Sequence, residues 1–150
     1  MSIEITWNGE EVKRRAIELA KKSSFELGLM VQAQAKLLVP RITGRLGASI
    51  TTRSGFGQET KPSGKGAVST DIIDKPSDPF ETFVGTPVEY GPYKEYGTFR
   101  LDAKPFLRPA LDMIRGRALT VVQVGARKEF GEYLNPKGTM TFEESVKAQT

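Results

Sequence analysis

Residues 10–38 read EEVKRRAIELAKKSSFELGLMVQAQAKLL, and their spacing decides the fold. Apolar or small side chains recur at Val12, Ala16, Leu19, Ala20, Ser23, Leu27, Met30, Val31, Gln34 and Leu38. Those steps of three and four make one stripe on a long helix. Lys13, Arg14, Glu18, Lys21, Lys22, Gln32 and Lys36 take the other face. Val39-Pro40 ends the helix, because proline disfavours helical geometry in the residue before it. Upstream, Ile3, Ile5 and Trp7 alternate with polar neighbours, which suits a short half-buried strand. Asn8 and Glu11 then have the spacing of a helix N-cap and its reciprocal partner.

Beyond Pro40 the pattern changes. Leu46, Ala48, Ile50 and Thr52 alternate with Gly47, Ser49, Thr51 and Arg53, a strand pattern. Residues 54–66 hold four glycines and one proline with few apolar groups, so a long mobile hairpin loop is expected there. Further strands are expected at 67–73 and 80–86. A second helical period starts at Pro105 and runs through Leu107, Leu111, Ile114, Ala118, Val121, Val122, Gly125 and Phe130 to about Tyr133. Asn135-Pro136-Lys137-Gly138 stops it, and Thr141 with Glu144 suits a short terminal helix. The plan is α+β: two long helices packed on a small, mainly antiparallel sheet. Residues 1–134 form a single domain and 135–150 a C-terminal arm.

Composition bounds the chemistry. The 150 residues contain no cysteine and no histidine, which excludes disulfides, thiol nucleophiles, Cys/His zinc sites and Ser-His-Asp triads. Hydrophobic residues make up 38% and charged residues 27%, a globular balance. No apolar run approaches the ~18 residues of a membrane span, and no signal peptide is expected in MSIEITWNGEE. No membrane association is expected, and cytoplasm is the default compartment. Net charge is only +4, with the basic excess in 40–66 at Arg41, Arg45, Arg53, Lys61 and Lys65, followed by an acidic stretch over 67–104. That is a weak polyanion footprint.

Candidate sites thin out on inspection. Gly64-Lys65 suggests a phosphate loop, but Gly66 follows where Ser or Thr is needed, and six residues separate Gly57 from Gly64 instead of four. Asp71, Asp74, Asp78 and Glu81 are the densest carboxylates; Asp71 and Asp74 would point to opposite faces of a strand end, which suits solvated charges better than a metal site. Tyr90, Tyr93 and Tyr96 recur every third residue beside Glu89 and Glu95, a spacing that serves either a subunit interface or the edge of the monomer core.

Three segments, Val39–Ile50 (VPRITGRLGASI), Tyr90–Thr98 (YGPYKEYGT) and Pro105–Leu111 (PFLRPAL), occur in a telling order. Order and spacing resemble the small tail-completion or head–tail neck proteins of long-tailed bacteriophages. The matching residues are Pro40, Thr43, Gly44, Leu46, Ser49, Ile50, Tyr90, Glu95, Tyr96, Gly97, Thr98, Pro105, Phe106, Leu107, Pro109 and Ala110. The resemblance covers about residues 10–130, and departs from the family pattern at Gly47, at Gly91 and in the tail beyond 135.

Apart from the family, Pro40, Thr43, Gly44, Leu46, Gly97, Thr98, Pro105, Phe106 and Pro109 have fold-setting roles. The resemblance implies a non-enzymatic virion protein without cofactors, assembled in the host cytoplasm. Copies of the chain, six of them, would form a ring between capsid connector and tail, contacting neighbouring neck and tail proteins while DNA passes through with weak or no direct binding. Tyr90, Tyr93, Glu95, Tyr96 and the C-terminal arm are the candidate contacts. The alternative is a nucleic-acid-binding module acting through Arg41, Arg45, Arg53, Lys61 and Lys65.

Overall fold

The computed structural model describes residues 9–40, 44–69 and 74–134. The expected strand at 2–7, the Asn8 cap, Arg41, Thr43, Asp71, the end of the 67–73 strand and the C-terminal arm lie outside the described residues. Helix α1 spans Gly9–Leu38, with Glu10 and Glu11 in its first turn and Lys36 in its last, each on the side the helix dipole favours. It ends where the proline demands, as Val39 N–H makes a last bond to Ala35 O at 3.0 Å. The inward face differs in phase from the sequence stripe. Ser23, Val31 and Ala35 are buried, Met30 is 40% exposed, and Gln32, expected on the solvent face, is buried.

The reason lies in the strand that α1 covers. β1 (Thr51–Ser54) pairs antiparallel with β2 (Thr82–Gly85), Thr51 opposite Gly85 and Ser54 opposite Thr82. Gln32 serves β1: its Nε2 donates to Ile50 O at 2.9 Å, and its Oε1 accepts from the hydroxyls of Thr52 (2.9 Å) and Thr60 (3.1 Å). A buried amide with these partners avoids the cost of an unmet polar group. Gly28 brings helix and sheet together, since a Cβ there would lie 2.5 Å from Thr82 Cγ2 and 2.7 Å from Thr52 Cγ2.

Three further expectations need correction. The strand pattern beginning at Leu46 is first a helical turn, α2 (Arg45–Ala48), and only then β1. Leu46 and Ile50 are four apart, a spacing that a helical turn satisfies as well as a strand does. Gly44 with φ 73° sets up the turn, and the Ser49 hydroxyl, donating to Arg45 O at 2.8 Å, closes it. The single helix expected from Pro105 is two, α4 (Leu107–Arg115) and α5 (Ala118–Leu134). The break is at Gly116-Arg117, where Arg117 N–H turns back to Ile114 O at 2.8 Å. The expected strand at 80–86 is present as β2, whereas Ala67–Ser69 is not a strand; Val68 N–H instead donates to Ser49 Oγ at 2.9 Å.

The hairpin loop at 54–66 folds back along β1. Ser54 N–H donates to Gln58 O at 2.8 Å, Thr60 N–H to Thr52 O at 2.9 Å, and Ser63 N–H to Ala48 O at 3.1 Å. Val31, Ala35, Val39, Leu46, Ile50, Val88, Phe106, Ala110 and Ile114 make one core between α1, α2, the sheet and α4. α5 lies on α1 where Gly125 faces Leu19, and none of its described side chains is fully buried. The architecture is α+β, one long helix covering a two-stranded sheet with the C-terminal helices beside it.

Candidate functional site

The Tyr-rich segment forms α3 (Gly91–Tyr96), a six-residue helix with Pro92 in its first turn. Its inner face is small and tightly placed: a Cβ on Gly91 would lie 3.0 Å from Thr86 Cγ2. Tyr90 packs against the core, while Tyr93 and Tyr96 are 57% and 65% exposed. Tyr90 therefore belongs to the monomer core, and Tyr93 and Tyr96 face outward.

Glu95 does something the sequence pattern does not reveal. It is buried, and its carboxylate takes the first-turn donors of α4: Oε2 accepts from Phe106 N–H (2.8 Å) and Leu107 N–H (3.0 Å), and Oε1 from Arg108 N–H (3.0 Å). A helix start leaves these groups without partners of its own. Pro109, next in line, has no N–H to satisfy, and Ala110 N–H already bonds Phe106 O at 3.4 Å. Glu95 and Pro109 together leave no free donor in that turn. Burial, the largest single influence on the carboxyl, pushes its pKa up, but the three N–H bonds and the Arg108 charge outweigh it and hold the group below the ordinary glutamate range. Glu95 therefore belongs to the inside of the subunit and ties the Tyr turn to α4.

Gly97, with φ 77°, ends α3; a Cβ would come within 2.9 Å of Ala103 N, so only glycine fits. The chain then makes a tight turn. Thr98 N–H donates to Leu101 O at 2.8 Å and Leu101 N–H to Thr98 O at 3.1 Å, and Phe99 stands at the tip, wholly exposed. Lys104 N–H closes the excursion onto Lys94 O at 2.8 Å, and Phe106, completely buried, anchors the return. The Arg108 guanidinium lies 4.4 Å from the Tyr96 ring centre, a cation–π contact on the outer surface. Beyond Arg108 a groove of about 440 Å³ runs between α1, β2 and α4, lined by Leu27, Val31, Val84, Leu107 and Leu111.

Among the described basic residues, Arg53 is mostly covered, and its Nε donates to Glu59 Oε2 at 3.0 Å. Arg45, Lys61 and Lys65 are exposed, and Gly66, next to Lys65, lies against the Arg45 stem. Of the dense carboxylates, Asp74 and Glu81 are exposed. Asp78 caps its own turn, accepting Phe80 N–H at 2.8 Å. Among the described residues no three acidic groups sit close enough to hold a metal ion, and no helix is long and apolar enough to cross a membrane.

Known proteins add nothing to this geometry. No family model, curated relative or solved structure matches the chain.

Glu95 and Gln32 are the two polar side chains whose work the sequence hides. Glu95 meets donors eleven to thirteen positions away, and Gln32 meets Thr52 and Thr60 twenty and twenty-eight positions away. No local spacing encodes such distances. The one available signal was Gln32 within one turn of Val31 and Ala35, too close to the apolar stripe to be clear of the core.

Proposed function

We propose that this chain is a structural virion protein of the phage neck or tail, a subunit of a ring that completes the tail and joins it to the capsid connector. The resemblance in three segments suggests it. The supporting observation is that Tyr93, Tyr96 and Phe99 stand out from one rigid excursion, fixed at its base by Glu95 and Gly97. Large aromatic side chains held outward on a pre-ordered frame suit an interface, since little is lost in ordering them on contact. Arg108, over the Tyr96 ring, links them to the groove where exposed Leu111 lies, which adds apolar surface beside the rings. Electron microscopy of particles made without this chain tests the reading. DNA-filled heads beside separate or abnormally ended tails are expected; intact, infective particles would refute it.

A second reading rests on Arg45, Lys61 and Lys65, all exposed, with Gly66 beside Lys65 set against the Arg45 stem. Three exposed cations could track a nucleic-acid backbone. A salt-dependent shift on free duplex separates this reading from a ring of large discrete mass.

A further inference from the structure

The groove beside β2 has one wall made of backbone. Gly55 N–H donates to Glu81 O at 3.0 Å, so along the antiparallel ladder Glu81, Phe83 and Gly85 turn their backbone groups toward β1. Thr82 and Val84 turn theirs outward, and among the described residues no strand pairs with that edge. β1 differs, since residues 58–60 cover its far side. An open edge next to an apolar groove is the arrangement that accepts an added strand: the backbone supplies the hydrogen bonds, and alternate side chains enter the groove.

Near the start of the chain lies a segment with a matching pattern. In Ser2–Trp7 (SIEITW), Ile3, Ile5 and Trp7 fall on one side of an extended strand. Chain length bounds how far that segment extends from Gly9. β2 begins level with Ser24, whose hydroxyl meets Phe80 O at 2.7 Å and Thr82 Oγ1 at 2.8 Å, and continues toward Val31. Fifteen residues of helix place Ser24 about 22 Å beyond Gly9. Doubled straight back along α1, Ile3 reaches at most about 20 Å from Gly9. Ile5 and Trp7 have less reach still, so chain length favours the segment of another copy at the Thr82–Val84 edge.

We propose that residues 2–7 of a second copy add as a third, antiparallel strand to the outer edge of β2, with Ile3 and Ile5 in the groove lined by Leu27, Val31, Leu107 and Leu111. Two different patches then meet in every contact, the head-to-tail arrangement that closes into rings. The inference builds on the ring reading and gives it a contact.

The absence of native cysteine makes the test direct. One chain carries Ile5→Cys, another Leu111→Cys, a site 56% exposed and tolerant of change. Mixed and mildly oxidised, they should link into a species of twice the chain mass, well above either variant alone. Ile5→Asp should abolish that assembly. A chain bearing both cysteines that bonds within itself would overturn the proposal, because the strand would then be docked in its own subunit. Absence of any bond while sedimentation still shows a ring would overturn the docking and leave the ring reading standing. Linked pairs from chains that never exceed dimer mass would support the docking and count against the ring. Monomers at every concentration, unlinked, would end both.

Discussion

A single carboxylate joins the two most distinctive segments of this chain. Glu95 holds three backbone donors of α4, so its removal uncovers the start of that helix and loosens the Tyr turn together. Glu95→Ala should lower stability by about 2–3 kcal/mol, the scale of a lost helix cap plus buried donors left unmet. The pH dependence follows from the depressed carboxyl. Its contribution is complete above the unfolded glutamate value of about 4.3 and is lost as pH falls through the lower folded one. Glu95→Gln keeps the shape without the titration. Denaturation of the two forms should therefore show a gap near pH 7 that narrows below pH 4. A gap constant from pH 7 to 3 would mean that the charge on Glu95 contributes nothing.

At the scale of elements, the approach of α1 to the sheet sets what the fold tolerates. Gly28→Ala puts a Cβ against two methyl groups on stiff, β-branched threonines. The helix gains about 1 kcal/mol of propensity, but overpacking of this kind costs typically 1–3 kcal/mol, so the melting temperature should fall. Gly131 on α5 has nothing within 4 Å of a Cβ, and Gly131→Ala should raise it or leave it level. Equal responses at both sites would contradict the close contact. The long helix and β2 were legible because their periods run uninterrupted. α2 was not, since Leu46 and Ile50 satisfy two periods at once and the positive φ of Gly44 decides between them. The break in the second helix was hidden likewise, because Ile114 and Ala118 keep a helical step across a turn at Gly116-Arg117. Of the candidate site, the Tyr spacing left both roles open and burial alone separates Tyr90 from Tyr93 and Tyr96, whereas the inward role of Glu95 depends on a partner element.

For the whole molecule, the question is whether its surface is made for copies of itself or for nucleic acid. Tyr93→Ala and Tyr96→Ala remove exposed rings, so the subunit should melt nearly unchanged, while assembly should weaken by ~2 kcal/mol or more if the rings are buried between subunits. Losses of equal size in both measurements would return the tyrosines to the monomer. The basic segment gives the complementary test. Arg53 is covered and bonded to Glu59, which leaves Arg45, Lys61 and Lys65 as the described exposed cations of that region. Three cations release few counterions, so a plot of log affinity for duplex against log salt should be no steeper than about −3, with affinity no tighter than ~10⁻⁴–10⁻⁶ M near physiological salt. Arg53→Glu sets two carboxylates side by side and should disturb assembly without changing duplex binding. Adding Glu59→Arg restores an opposite pair and should recover assembly. A nanomolar complex with duplex, lost on Arg53→Glu and falling steeply with salt, would instead make this chain a nucleic-acid binder, because a paired structural arginine cannot carry that dependence.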